Sequence, residues 1–309
     1  MHKLTYKSFS LITLLAIFSL SAVLITFTGQ LAYAAQTPVN LRTASPFAIL
    51  SGTPNISDAG NASVIRGNVG LSPASGAGIA LTCSQVTGTI YSVDATGPLP
   101  CRVTNGPLLL TAKNNLTTAY LDAAGRTPLT TIPTELGGKT LVAGVYDSSS
   151  TTFDITSGAG PLVLDGQNDP SSVFIFQAAF NGTGLNVGSA STITLTNGAQ
   201  ACNVFWRVNT ASINTTGTFV GTVLALNSIS VANGATIQGR LLARNGDVTL
   251  INDTITASIC AGNDTPDVIP GLPNTGTMNG QFLLVGAIST LLLTSGLLVA
   301  FVAYKKRSA

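Results

Sequence analysis

The stretch TFVGTVLALN (residues 218–227) decides the fold, because it returns 18 residues later as TIQGRLLARN (236–245). Both copies start with threonine and a large apolar residue, carry a glycine at the fourth position and end in asparagine. A third copy starts at Thr254-Ile255. A period of 18 is too short for a helical repeat and suits three short strands with three turns. We therefore predict a mainly β chain, built as a three-faced β-solenoid (β-helix).

Alternating apolar and polar residues assign the sides of these strands. Ile193 and Leu195 are predicted to point inward, and Thr194 and Thr196 outward. The segments 204–208, 222–226 and 240–244 are apolar at both parities. Strands of that kind are covered on both sides, so a further element should lie over them.

We predict that the element covering these strands is a long α-helix over residues 107–124. Pro107 lies near its start and Gly125 ends it. VIRGNV (64–69) resembles TFVGTV (218–223), so the solenoid should begin before the helix and resume after it. The segment 72–104 is predicted to be an irregular cap over one end. We assign 35–260 to this domain.

Both chain ends resemble targeting signals. Residues 1–34 resemble a signal peptide with Lys3 and Lys7 at the start and cleavage after Ala34. After a linker (261–271) comes Leu272-Pro273-Asn274-Thr275-Gly276, then an apolar span (282–304) and a basic tail (305–309). This order resembles the LPxTG sorting signal of Gram-positive surface proteins. The resemblance implies that a sortase joins Thr275 to peptidoglycan, so that the protein is secreted, wall-anchored and membrane-bound only before sorting.

Composition excludes several function classes. Residues 35–275 carry nine basic and twelve acidic residues, a net charge of −3, which argues against nucleic-acid binding. The only histidine is His2, so Ser-His-Asp, Cys-His and histidine–metal chemistry are not expected in the body. We expect no enzyme activity, no cofactor and no metal.

The four cysteines are Cys83, Cys101, Cys202 and Cys260. An even number in an exported chain indicates two disulfides, and four cysteines allow three pairings. We favour Cys83–Cys101, which closes a short loop, and Cys202–Cys260, which ties the last coils together.

The body resembles the secreted ice-binding (antifreeze) domains over roughly residues 41–257. The matching stretches are FAILSG (47–52), GNVGLSP (67–73), AYLDAAGR (119–126), LGGKTL (136–141), GVY (144–146), VFIFQ (173–177), NGAQ (197–200), NVFW (203–206) and GRLLA (239–243). The resemblance implies a discontinuous β-solenoid with one long helix alongside. It also implies binding to an ice crystal, or another extracellular surface, through one flat face that has no strict motif.

Two outward ladders are candidates for that face. The first combines two columns: Thr194, Ser212, Ser230 and Thr249, with Thr196, Asn214, Ala232 and Ile251 beside them. The second consists of Thr218, Thr236 and Thr254 with Thr256 beside them, and it is roughened by Gln238 and Arg240. Threonine presents one methyl and one hydroxyl on a stiff side chain, which suits both ladders. The second has the more uniform threonines, but Gln238 and Arg240 interrupt it, so we prefer the first ladder slightly and keep the second as the alternative.

Two other functions compete with ice binding. A non-catalytic surface adhesin or wall-structural module would use the same fold and the same anchor. A carbohydrate-active β-solenoid enzyme would need paired carboxylates, and Asp165 and Asp169 form the closest acidic pair outside the linker. That pair flanks the loop 166–170, and we interpret it as a solvated turn.

Overall fold

The computed structural model describes residues 36–178 and 184–261. Its helix α1 is Gly106–Gly125, and 3₁₀ turns lie at Arg42–Ala44, Gly76–Gly78, Cys83–Gln85 and Ala201–Asn203. The strands are β1 (Phe47–Ser51), β2 (Ile56–Asp58), β3 (Val64–Arg66), β4 (Asn68–Leu71), β5 (Ile79–Ala80), β6 (Val86–Thr87), β7 (Ile90–Ser92), β8 (Arg102–Thr104), β9 (Leu129–Ile132), β10 (Thr140–Val142), β11 (Gly144–Ser148), β12 (Phe153–Ile155), β13 (Leu162–Asp165), β14 (Phe174–Ala178), β15 (Gly184–Val187), β16 (Ile193–Thr196), β17 (Val204–Val208), β18 (Thr210–Ile213), β19 (Thr218–Ala225), β20 (Ile229–Val231), β21 (Thr236–Ala243), β22 (Val248–Leu250) and β23 (Thr254–Thr256).

These strands pair in parallel and form three sheets, which agrees with the expectation of a mainly β chain. The first sheet has the order β8-β7-β4-β1-β21-β19-β17-β14-β11-β9, and β23, β3 and β6 join it through the start of β21. The second sheet is β12-β15-β18-β20-β22-β2-β5, and the third is β10-β13-β16.

The 18-residue repeat appears as strand register. Thr218 pairs with Thr236, Gly221 with Gly239 and Ala225 with Ala243 along β19 and β21. Gly221 has a φ of +112°, and a Cβ built on Gly239 would lie 1.8 Å from the Gly221 carbonyl oxygen. The glycine of the repeat is therefore required where two coils bend and touch.

The order of the coils in space differs from their order in the chain. β1 pairs with β21, β2 with β22 and β3 with β23, so the N-terminal coils stack on the C-terminal ones. Helix α1 carries the chain from the N-terminal coils toward the far end of the first sheet. Its 20 residues span about 30 Å, close to six strand spacings of about 4.8 Å.

The core has two layers. One lies inside the coils, where the stacked rings of Phe176 and Trp206 have centroids 4.0 Å apart. The other lies between α1 and the first sheet, where Leu109 and Leu116 of the helix join Phe205 and Leu224 of the strands. The first sheet is therefore buried on both sides, which is why its strands are apolar at both parities.

The segment 72–104 is more regular than the predicted irregular cap. Within it, β5 pairs with β2, β6 with β3 and β7 with β4. These short strands extend the sheets by further rungs because Ile79 and Ile90 continue the buried columns. The disulfide Cys83–Cys101 closes this segment, and Cys202–Cys260 ties the last described residues to the start of β17.

The chain divides into two compact units, Met1–Asn263 and Asp264–Ala309, and the described residues belong to the first. Within residues 36–178 and 184–261, no helix has the length and apolarity to span a bilayer. The predicted signal peptide, most of the linker, the Leu272–Gly276 pentapeptide, the apolar span and the basic tail lie outside the described residues.

Candidate functional site

The outward side of the second sheet carries a regular column of small polar residues. Strand register places one residue from each strand in this column, in the order Asp154, Asn186, Ser212, Ser230, Thr249, Ser57 and Ala80. Successive rungs of a parallel sheet lie about 4.8 Å apart. We call the outward side of β15, β18, β20, β22 and β2 the second-sheet face.

Alternation along the short strands explains why these residues face outward. Ile229 and Val231 on β20, and Val248 and Leu250 on β22, are buried in the coil interior. The residue between each pair, Ser230 or Thr249, therefore points away from the core.

Hydrogen bonds fix several side chains of the second-sheet face. Asn214 Nδ2 donates to Ser212 Oγ at 3.0 Å, and Asn186 Nδ2 donates to Asp154 Oδ1 at 3.0 Å. The bond from Asn214 occupies an acceptor position of the Ser212 hydroxyl. A surface of pre-oriented groups loses less conformational entropy when it binds.

The structure divides the first predicted ladder between two sheets. Thr194 and Thr196 lie on β16 of the third sheet, where they pair with Val163 and Asp165. They are not in register with Ser212, whose neighbours on the second sheet are Asn186 and Ser230. The prediction of a single ladder was therefore wrong for Thr194 and Thr196. Residues 193–196 and 210–213 lie on different sides of successive coils. Ser212, Ser230 and Thr249 do stand in one column. Asn214, Ala232 and Ile251 follow two residues later, just past the ends of these strands.

The second predicted ladder is in register on β19, β21 and β23. Thr218 pairs with Thr236, and Thr236 pairs with Thr254. The neighbouring column contains Gln238 and Thr256 and then Arg66, an exposed side chain of β3.

Arg240, predicted to roughen that ladder, lies elsewhere. Its side chain is buried, and Nε donates to Ser45 O at 2.7 Å while Nη2 donates to Ser258 O at 2.8 Å. Burial lowers its pKa to about 10. The cation that interrupts this surface is Arg66.

Two buried carboxylates hold coils together beside these faces: Asp58 joins an N-terminal coil to a C-terminal one, and Asp253 links two C-terminal coils. Asp58 Oδ1 accepts from Asn252 N, and Asp253 accepts from the backbone N–H groups of Ala235 and Ile251. Burial raises the pKa of Asp253 to about 6, and the Asp58 carboxylate adds to this rise. Both carboxylates are used in holding coils together.

Asp165 and Asp169 are bound into turns. Asp165 accepts from Gln167 N and Asn197 Nδ2, Asp169 accepts from the Ser171 backbone and hydroxyl, and these bonds lower the pKa of both groups. Among the described residues, Asp169 is the one acidic residue lining a groove of about 640 Å³. A glycosidase needs two carboxylates at one cleft, which this groove does not provide. Among the described residues no cluster of His, Cys, Asp or Glu could hold a metal.

Comparison with known proteins agrees with this architecture. The model of the family described as Ice-binding-like matches residues 49–256. The chain belongs to this family. An ice-binding protein of Colwellia sp. is 42% identical over 235 residues, which cover 75% of this chain and 88% of that protein. An ice-binding protein of Flavobacterium frigoris (strain PS1) is 42% identical over 222 residues, covering 71% and 76%.

A solved structure in the family has the same fold. The crystal structure of an ice binding protein from an Antarctic biological consortium superposes with a TM-score of 0.63 at 35% identity, covering 74% of this chain and 95% of that one. The matched region therefore makes up nearly all of a solved family member. The family resemblance inferred from residues 41–257 is confirmed.

Sequence reasoning missed two members of the second-sheet face. Ser57 belongs to it because β2 pairs with β22 across 192 residues of chain, and Asn186 belongs to it through β15. A signal for Ser57 was present: Ile56-Ser57 precedes Val64 much as Ile229-Ser230 precedes Thr236.

Proposed function

We propose that this chain is a wall-anchored ice-binding protein that adsorbs to ice through the second-sheet face. The observation that carries the proposal is the register of Asn186, Ser212, Ser230, Thr249 and Ser57 on consecutive parallel strands. Membership of a family whose relatives are ice-binding proteins supports it.

Adsorption of the second-sheet face to ice depends on the regular spacing of its polar groups and on their low charge. Hydroxyl and amide groups repeating about every 4.8 Å along a rigid sheet can hold water in a repeating layer. Ordered water that bridges two surfaces is nearly as favourable as a direct hydrogen bond. The middle column is uncharged from Asn186 to Ser57, so docking on ice desolvates no ion there.

The alternative face carries a cation beside its threonine column. Arg66 is exposed in the column that contains Thr256, one strand away. A guanidinium at that place keeps its own hydration and interrupts the pattern of the threonines. We infer as well that the three sheets are the faces of one three-sided solenoid, with α1 lying along the first.

The test compares two matched double variants of residues 35–263, which run from the predicted cleavage site to the end of the first compact unit. Ser230→Tyr with Thr249→Tyr places two rings on adjacent rungs of the second-sheet face. Thr236→Tyr with Thr254→Tyr does the same, also on adjacent strands, on the alternative face. We expect the first pair to abolish thermal hysteresis and ice shaping, because the rings hold the sheet off the crystal. The second pair should retain both activities.

Circular dichroism and melting temperature check that each variant is folded. Loss of hysteresis only in the Thr236/Thr254 variant would move the site to the alternative face. Unmodified ice growth with the wild-type fragment would refute ice binding and favour the adhesin or wall-structural function.

The anchoring part of the proposal rests on the Leu272–Gly276 pentapeptide with the span and basic tail behind it. It predicts that muramidase digestion of walls releases the protein with a peptidoglycan fragment on Thr275, detectable by mass spectrometry. Leu272→Ala should abolish that linkage and leave the ice activity of the domain unchanged. A protein recovered with an intact C-terminal tail would contradict sortase processing.

A further inference from the structure

One rung of the second-sheet face differs from its neighbours in shape and charge. On β22 the outward residue is Thr249, and the alternate residues on either side, Asp247 and Ile251, lie just outside the ends of the strand. The rung on one side, on β20, presents Ser228, Ser230 and Ala232. The rung on the other side presents Asn55, Ser57 and Ala59.

The backbone keeps Ile251 in the outer column and does not turn it into the core. Ala232 N donates to Ile213 O and Ala59 N donates to Leu250 O, as in a parallel ladder. Ile251 N donates instead to Asp253 Oδ2 at 2.8 Å, and its side chain remains 37% exposed. The buried Asp253 carboxylate therefore holds the backbone that presents this side chain to solvent.

The side chain of Ile251 is larger than those on either side of it in the column. It lies between the methyl groups of Ala232 and Ala59, and it rises above them by at least one carbon–carbon bond, about 1.5 Å. A gap of only 0.5–1 Å already loses about a quarter to a half of a dispersion contact. An ice plane that rests on Ile251 is thus held away from the rungs on both sides.

We propose that Ile251 limits how closely the second-sheet face approaches ice, so that its rung sets the strength of adsorption. This inference rests on the proposed function and adds to it the residue that restricts it. The rungs that it holds away from ice are its two neighbours in the sheet, on β20 and β2.

The experiment measures thermal hysteresis against protein concentration for residues 35–263 and three variants. Ile251→Ala should raise hysteresis at equal protein concentration, because the rungs on both sides can then approach the crystal and regain dispersion contacts. Ala232→Ile places a second protrusion on the next rung and should lower it. Ile259→Ala removes an exposed isoleucine (82% exposed) that lies outside the three sheets, and it should change nothing.

The outcomes separate this inference from the proposed function. Unchanged or lower hysteresis in folded Ile251→Ala, with loss in the Ser230/Thr249 variant, would overturn the role of Ile251 and leave ice binding intact. A gain in Ile259→Ala equal to that in Ile251→Ala would also overturn it, since the gain would then follow from general loss of surface apolarity. Absence of hysteresis in all forms would overturn both proposals.

Discussion

The stability of the domain should fall as the pH rises from about 4 to about 6, and the cause is Asp253. This carboxyl group is 1% exposed and accepts two backbone hydrogen bonds, each of 2.8 Å. Burial raises its pKa from 3.8 to about 6, with a further rise from Asp58. The folded protein therefore keeps a proton that the unfolded chain has already released.

The size of this fall in the free energy of unfolding follows from the linkage between proton binding and folding. Stability changes with pH in proportion to the difference in bound protons between the unfolded and folded states. Between pH 4 and 6 the folded state binds more, so the free energy of unfolding decreases with pH. A pKa difference of about two units, at about 1.4 kcal/mol per unit, gives a total decrease of about 3 kcal/mol.

Most other groups act outside this window. Burial raises the pKa of Asp58 and Glu135, but hydrogen bonds outweigh it, and hydrogen bonds also lower the pKa of Asp165. Their contributions are lost as the pH falls through the ordinary values, 3.8 for the two aspartates and 4.5 for Glu135, so only Glu135 opposes Asp253, at the lower edge of the window. Burial lowers the pKa of Lys113 to about 7, which acts at higher pH. The domain contains no histidine.

The assay is urea unfolding followed by circular dichroism at pH 4.5, 5.5 and 6.5. About 2 kcal/mol of the total is lost over this pH range. With a slope of about 1–3 kcal/mol per molar urea, the midpoint should drop by roughly 0.6–2 molar. Asp253→Asn should remove most of the pH dependence, whereas Asp169→Asn, at an exposed turn, should retain it. A wild-type midpoint that stays level or rises over this range would refute the reasoning, as would an unchanged slope in Asp253→Asn.

Two further predictions concern the repeat and the disulfides. Gly239→Ala should lower the free energy of unfolding by about 2 kcal/mol or more, because its Cβ would collide with the Gly221 carbonyl. Gly125→Ala, where a Cβ meets nothing within 4 Å, should be neutral or stabilising in the same denaturation assay, and equal effects would contradict the packing argument. Replacing Cys202 and Cys260 by serine should cost about 4 kcal/mol, against about 3 kcal/mol for the Cys83–Cys101 pair, since their sequence separations are 58 and 18 residues. The reverse order in calorimetry would contradict the loop-entropy reasoning.

Some features of the fold could be predicted because they are local in sequence. The 18-residue period, the alternation within strands and the helical spacing of 107–124 each depend on neighbouring residues. The structure has α1 at Gly106–Gly125, and the period appears as the register of β19 on β21. Parallel sheets followed from the same patterns, whereas the ice-binding family was indicated by the resemblance of the stretches quoted between residues 47 and 243.

The composition of the candidate face could not be predicted in the same way. Thr194 and Ser212 lie 18 residues apart, the same distance as the repeat, yet they stand on different sheets. The loop 214–217 and the turn before β17 change the length of successive coils, so equal spacing in sequence does not give equal position on the surface. Register depends on which strands pair, and pairing is a long-range property.

By itself, the sequence determined the repeating coil, the covering helix, the cysteine number and a low-charge body without histidine. Only the tertiary structure decided which outward residues share a surface, because Ser57 reaches Thr249 through a pairing that joins the first coils to the last. The same pairing buries Asp58 and Asp253 together and leaves Ile251 exposed between two alanines. Side-chain periodicity is a local consequence of backbone geometry, whereas the stacking of coils is decided by which arrangement buries both layers of the core.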